Sequence, residues 1–375
     1  MKKICFVSTT ASSITFFLDP IIKKLSNKYK VTIICNNSNS IKYSFNKNVN
    51  FCDIGFSRKV NFFNDLYCLV LLFFNFLIYR YDCVHSIMPK TGFLCAIASR
   101  FTFIKNRIHT FTGQIWANYK GLKFIFYSNI DRIIIKLSTH LLSDSFSQVI
   151  FLKKKLKINK KISVIHNGSI CGVNFKKFKP NLIKRKKLRN KFNIKDNDIV
   201  FFYLGRLTHD KGIQDLIKSF CKLYKTKKNC FLILAGTDEQ NFFKKKTKNL
   251  NIKNSNIIYL NFIKKPYLTL NMADILCLPS YREGFGNVII EAAAMKITSI
   301  VSDIYGLKDT VIHNFTGLKF KKKDINSIYN TMMKIFNYKL RYNLSKNAYN
   351  YVKKNFDQID VINKYLDFYS RIFKN

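Results

Sequence analysis

The sequence predicts an α/β protein built from two doubly wound parallel-sheet domains. A chain of 375 residues is long for one domain and comfortable for two, each able to bury its own core. Short apolar runs without polar alternation recur along it, the mark of parallel strands covered by helices on both faces. Each run stops at a small or polar residue and gives way to a helical segment, in both halves of the chain.

In the first half the expected strands are Ile4–Val7, Val31–Cys35, Cys83–Ile87, Arg107–Phe111, Gln148–Leu152 and Ser163–Ile165. In the second half they are Ile199–Leu204, Phe231–Ala235, Ile257–Leu260, Ile275–Leu278 and Thr298–Val301. The apolar stretch Leu66–Tyr79, interrupted by Asn75, falls short of the ~20 residues of a spanning helix and reads as a buried or membrane-touching one. Lys176–Asp198, polar and very basic, reads as the linker into the second domain. Near the end Val352, Phe356, Ile359, Ile362, Leu366, Tyr369 and Phe373 recur three or four apart, which predicts a helix. The expected segments are 1–180, 181–352 and a terminal helix over 353–375.

The charge balance is unusual: 65 Lys+Arg against 21 Asp+Glu give a net charge of +44, beside 47% hydrophobic residues and a mean hydropathy of −0.07. The composition fits a globular chain and excludes a disordered or multi-span membrane one. Such a field attracts polyanions or an anionic leaflet. The basic runs Lys153–Lys161 and Lys176–Lys191 are solvated faces that suit reversible docking to anionic lipid. The ten cysteines are scattered without a C-x-x-C or a histidine cluster, which fits a reducing cytosol rather than a disulfide framework or a zinc site. Lys2-Lys3 and the short apolar run after them resemble the start of a signal peptide, but Ser8–Ser13 ends the run too early. No transmembrane segment is expected.

In open α/β sheets ligands bind beyond the carboxyl ends of the strands. There the unusual residues collect, among them Thr112-Gly113, Gly205-Arg206, Gly236 and Ser280–Glu283. Two such edges facing each other would make one cleft between the domains. From Val288 to Met295 every residue is apolar except Glu291. A carboxylate in that setting costs several kcal/mol unless something hydrogen-bonds it. Either a buried cation or a ligand hydroxyl pair would serve. Gly284 and Gly286 open the backbone ahead of that helix, so its first amides form an anion site and Glu283 and Glu291 reach one ligand carrying hydroxyls and phosphate. In Gly205–Gly212, Arg206 and Lys211 share one strand-to-helix loop, where two cations can clamp a diphosphate and neutralise it as it leaves.

Together these elements resemble glycosyltransferase family 4, the retaining nucleotide-sugar transferases with the GT-B fold. The resemblance rests on Gly205-Arg206 with Lys211-Gly212, Leu234–Gly236, Ala273-Asp274, Pro279-Ser280, Glu283 to Glu291 with Gly284–Gly286 between them, and Thr316-Gly317. It covers the whole second half in order. It implies two Rossmann-like domains facing across a cleft: an acceptor-binding domain at 1–180, a nucleotide-sugar domain at 181–352, and a C-terminal helix crossing back to the first. It implies further that Arg206 and Lys211 hold the donor diphosphate, that Glu291 meets the nucleotide ribose, and that Glu283 faces the donor sugar hydroxyls. The backbone over Phe285, Gly286, Asn287 and Val288 matches the turn around sugar and phosphates, with Gly205 and Gly236 beside it. Retention of configuration follows from the resemblance alone.

Arg107–Trp116 and Asn167–Pro180 look like bacterial transferases that build surface polysaccharides. The implied activity moves a hexose or N-acetylhexosamine from a nucleotide diphosphate sugar, UDP-sugar favoured, to a lipid-linked or lipopolysaccharide-type acceptor in O-antigen or capsule synthesis. The implied place is peripheral, at the cytoplasmic face of the inner membrane, with no metal or cofactor. On the acceptor side the candidates are His85, Thr112, Gly113 and Trp116. His85 ends a strand and would touch substrate or serve the core. Trp116, the single tryptophan, would stack on an acceptor sugar or lipid or pack inside. The family's paired glycines after the first strand are absent at Thr9–Ser13, and Thr112 stands where many relatives have a histidine. Asp196-Asn197-Asp198 imitates a metal-binding D-x-D but reads as a turn. A sugar-nucleotide epimerase on the same fold gives no reason for Glu283 and Glu291 at this spacing. A nucleic-acid-binding protein would explain the charge, yet no basic-aromatic recognition motif accompanies it.

Overall fold

The computed structural model describes residues 1–45, 48–241 and 256–374. The chain divides into two compact units: Met1–Gly172 with Gln358–Asn375, and Val173–Asp357.

The first unit holds a seven-stranded parallel sheet. Its strands are β1 (Lys3–Thr10), β2 (Lys30–Asn36), β3 (Val49–Asp53), β4 (Cys83–Ile87), β5 (Asn106–Phe111), β6 (His140–Ser143) and β7 (Ser163–Val164), in the order β3-β2-β1-β4-β5-β6-β7. The helices are α1 (Asp19–Leu25), α2 (Phe62–Tyr79), α3 (Pro89–Phe101), α4 (Gly121–Leu137) and α5 (Phe146–Leu156). Side chains alternate across β1: Ile4 and Phe6 enter one core cluster with α1, while Cys5 and Val7 enter another with α2 and α3. A third cluster joins Phe111 and Leu141 to α4 and α5.

The second unit repeats the plan with β8 (Ile199–Leu204), β9 (Cys230–Ala235), β10 (Ile257–Leu260), β11 (Ile275–Leu278), β12 (Thr298–Ser302) and β13 (Gly317–Phe320), ordered β10-β9-β8-β11-β12-β13. Its helices are α6 (Leu182–Lys191), α7 (Ile213–Thr226), α8 (Asn287–Ala294), α9 (Ile325–Lys334) and α10 (Tyr338–Asn355), and the terminal α11 (Gln358–Lys374) belongs to the first unit. In both sheets the strand order reverses once, between β1 and β4 and between β8 and β11, and such a switch point opens a crevice for ligand.

Three expectations are corrected. Gln148–Leu152 is helical, not a strand, because Ser145 caps α5 by accepting from the Gln148 amide (3.3 Å). Lys176–Asp198 is no linker. Arg185 and Arg189 both bind Asp274, at 2.6 and 3.2 Å, and Asp274 also accepts from the Val200 amide (2.8 Å), which fastens α6 to the second sheet. Val173–Pro180 and 353–357 likewise belong to the second unit, since the Val173 amide donates to the Phe356 carbonyl (2.8 Å). The terminal helix therefore starts afresh at Gln358. It buries Val361, Tyr365 and Tyr369 against the β1 face, while Ile359 is exposed.

Candidate functional site

The second unit gathers the predicted donor-side residues around its switch point. The loop after β8 carries Arg206 and Lys211, and the loop after the neighbouring β11 carries Ser280 and Glu283. Lys211 donates to Glu283 Oε1 at 2.6 Å, both side chains being mostly enclosed. The Ser280 hydroxyl donates to the same oxygen at 2.7 Å.

Backbone contacts hold the two loops in place. The Leu207 amide donates to the Thr237 carbonyl (2.9 Å) and the Tyr281 amide to the Asp210 carbonyl (2.8 Å). The Tyr203 hydroxyl donates to the Arg206 carbonyl (2.8 Å). A Cβ on Gly236 would lie 1.9 Å from the Gly205 carbonyl oxygen, so only glycine lets the ends of β8 and β9 approach this closely. Gly286, in the left-handed region at φ 81°, turns the chain into α8, whose positive dipole end follows at Asn287 and Val288.

Sequence reasoning missed a second layer of charge. Arg282 pairs with Asp210 at 2.8 Å, and Thr208 donates to the other Asp210 oxygen at 2.5 Å. Burial works against the Asp210 carboxylate, but Arg282, the Thr208 hydrogen bond, Lys211 and Arg206 outweigh it and hold its pKa below the usual value. Arg206 reaches Glu239 at 2.9 Å, a pair left largely in solvent. No periodicity or spacing announces either partnership, because both join loops distant in sequence.

Glu291 lies one turn into α8 and keeps only a minority of its surface open. It forms no hydrogen bond or ion pair among the described residues. Burial pushes its pKa up to about 8, with Lys177 opposing weakly. Phe285 turns its ring inward against Phe356 (centroids 5.2 Å apart), so only its backbone is left to meet a ligand.

Two acceptor-side candidates belong to the core of the first unit. His85 is buried, with Nδ1 hydrogen-bonded to the Tyr369 hydroxyl and Nε2 to Thr110 Oγ1 (2.7 Å). Burial, helped by His109, pushes its pKa down to about 3, so it stays neutral and ties α11 to the sheet. Trp116 is 2% exposed, stacks on Phe151 and donates its indole N–H to Asp131 (2.7 Å). It has no face for a sugar. Thr112 and Gly113 stay at the carboxyl end of β5, Thr112 half-buried and Gly113 buried. The Asp198 carboxylate accepts the Lys195 amide (2.7 Å), closing a turn.

Residues 184–351 match the family model described as glycosyl transferases group 1. The chain is 29% identical over 340 residues to the capsular polysaccharide biosynthesis glycosyltransferase CapM of Staphylococcus aureus, covering 90% of this chain and 88% of that one. It is 26% identical over 352 residues to the UDP-Gal:alpha-D-GlcNAc-diphosphoundecaprenol alpha-1,3-galactosyltransferase of Escherichia coli, covering 92% and 89%. Among solved structures it superposes on a sucrose-phosphate synthase from Thermosynechococcus elongatus with a TM-score of 0.84 over the full length of both chains, at 19% identity. The chain is a glycosyltransferase with the GT-B fold, and the stretch that matches the group 1 model lies within its second unit.

Proposed function

We propose that this enzyme transfers a hexose or N-acetylhexosamine, with retention, from a nucleotide diphosphate sugar to a lipid-linked or lipopolysaccharide-type glycan in capsule or O-antigen synthesis. The observation that carries the donor reading is Glu291, an acid on an apolar helix with no hydrogen bond or ion pair among the described residues. A carboxyl kept this way is matched to a ligand hydroxyl pair, here the nucleotide ribose.

Arg206 and Lys211 take the diphosphate, and Glu283 the hydroxyls of the donor sugar. In the ligand-free state Lys211 rests on Glu283 and Arg206 on Glu239. The incoming diphosphate replaces these carboxylates, and both cations then neutralise the charge that grows as the nucleotide departs. Two cations and the start of α8 supply the positive charge, which favours metal-independent chemistry. The acceptor hydroxyl attacks the sugar face that the leaving group vacates, and the departing phosphate takes its proton. With His85 and Trp116 assigned to the core, the acceptor-side proposal narrows to Thr112 and Gly113.

UDP is the favoured nucleotide and a lipid diphosphate the favoured carrier, since the Escherichia coli relative is named for both. Work on such an acceptor places the enzyme peripherally at the cytoplasmic face of the inner membrane. Purified protein incubated with a panel of nucleotide sugars and lipid-linked acceptors tests the reading. Release of nucleoside diphosphate should depend on acceptor and drop by orders of magnitude in Glu291→Ala and Lys211→Ala. Full rates in either variant would sink it.

A further inference from the structure

The basic runs drew attention in the sequence as the docking surface, yet the structure holds a stronger one elsewhere. Helix α2 is apolar on both sides. Cys68, Leu72 and Phe76 enter the core, while Phe63, Leu66, Val70, Phe74, Leu77 and Ile78 are exposed on the other side. The spacing draws one stripe along the helix, about 22 Å from Phe63 to Ile78 at 1.5 Å per residue. Its single charged residue, Asp65, is tied to Lys90 at 2.7 Å and leaves the stripe uncharged. Phe63 is 82% exposed, and a continuous apolar face of this size marks an interaction site.

A second group continues it. Leu122, Ile125 and Phe126 stand exposed in the first turns of α4, Leu122 at 84%, and α3 packs between α2 and α4. Both α2 and α4 follow strands of a parallel sheet, so Phe62, Phe63 and Leu122–Phe126 all lie toward the sheet's carboxyl edge. That edge is where α/β sheets bind ligands. Exposed basic residues, Lys59 beside α2 and Lys120 and Lys123 at the start of α4, border the apolar groups.

We propose that the α2–α4 face of the first unit lies on an anionic lipid bilayer, with the α2 stripe in the headgroup–acyl boundary. Aromatic and aliphatic side chains edged by lysine are the composition of an interfacial helix. The positive border complements anionic headgroups. The same charge opposes the rival occupant, a second copy, because a chain of +44 repels its own kind. Although α2 is long and apolar enough to cross a membrane by length and composition, its Cys68–Phe76 side is lodged in the core, so it lies on the bilayer and does not cross it. The placement deepens the peripheral reading above and rests on it: an acceptor's lipid tail stays in the bilayer while its glycan reaches the sheet edge.

The test is co-sedimentation of the full chain with phosphatidylcholine vesicles, with and without phosphatidylglycerol. Two triple variants are compared with wild type, Val70→Gln with Phe74→Gln and Ile78→Gln, and Leu122→Gln with Ile125→Gln and Phe126→Gln. All six positions are exposed, and circular dichroism checks that the fold is kept. Each triple should lower binding to the anionic vesicles by at least about tenfold. Lys153→Gln with Lys154→Gln and Lys155→Gln should cost less. Unchanged vesicle binding in both apolar triples overturns the assignment. So does a wild-type chain that ignores vesicles and instead self-associates through the stripe in sedimentation equilibrium. Vesicle binding by a chain that turns over no nucleotide sugar would sink the enzymatic proposal and support this one.

Discussion

Donor binding should be coupled to proton release through Glu291, and the size of the coupling follows from its surroundings. With a pKa of about 8 in the free enzyme, the carboxyl is roughly nine-tenths protonated near pH 7. On the proposed ribose contact the hydroxyls donate, so the bound state needs the carboxylate. Binding UDP near pH 7 therefore expels about 0.9 proton. Apparent affinity should rise about tenfold between pH 7 and pH 9, or about 1.4 kcal/mol, and then level off. Titration calorimetry in Tris and in HEPES at one pH reads the proton directly, because the two buffers differ in ionisation enthalpy. In Glu291→Gln both the proton and the slope should vanish. Equal binding enthalpies in the two buffers would refute the reasoning. The same shift bears on stability. The folded pKa is raised from the ordinary 4.5, so the contribution is full below about pH 4.5 and is lost as pH rises to about 8. The melting temperature of Glu291→Gln should accordingly gain on wild type across that window, and a constant difference would contradict it.

Other substitutions separate roles around the switch point. Lys211→Ala should reduce turnover by at least about a hundredfold with an unchanged circular dichroism spectrum; near-wild-type turnover would free Lys211 from the diphosphate role. Glu239→Gln releases Arg206 from a solvent-screened pair worth about 0.2–1 kcal/mol, so donor KM should fall between about 1.4- and 5-fold, as initial-rate kinetics would show. A raised KM would mean that Glu239 helps to hold the donor. Trp116→Phe strips Asp131 of its indole donor and should destabilise by about 1–3 kcal/mol in urea unfolding. Its acceptor KM should stay at the wild-type value; a raised one would return Trp116 to the acceptor site.

The fold was legible where strands sit centrally in their sheets and run long enough to leave an apolar signature. Ile199–Leu204 and Cys83–Ile87 are enclosed on both sides, so burial left an unbroken apolar run in the sequence. The strands that escaped notice lack that signature. Both β3 (Val49–Asp53) and β13 (Gly317–Phe320) are edge strands, while β6 (His140–Ser143) spans four residues and opens on histidine. Gln148–Leu152 misled because its four consecutive apolar positions, Val149–Leu152, satisfy both periods, and the capping hydroxyl of Ser145 decides for helix.

The residues gathered at the switch point of the second sheet stood out for a related reason: they violate local expectation. An acid inside an apolar helix and two cations at a strand end conflict with the segments that hold them, and such conflicts mark function. The acceptor side offered no comparable conflict. His85 and Trp116 are polar-tipped side chains that a core accepts once each finds a partner, Thr110 and Tyr369 for one and Asp131 for the other. Those partners come from other elements, so the sequence around either residue carries no trace of them. Glu291 differs in a way that can be tested against the same standard. Among the described residues nothing hydrogen-bonds it, and on the proposed ribose contact the cost of that omission is recovered when a hydroxyl-bearing ligand arrives.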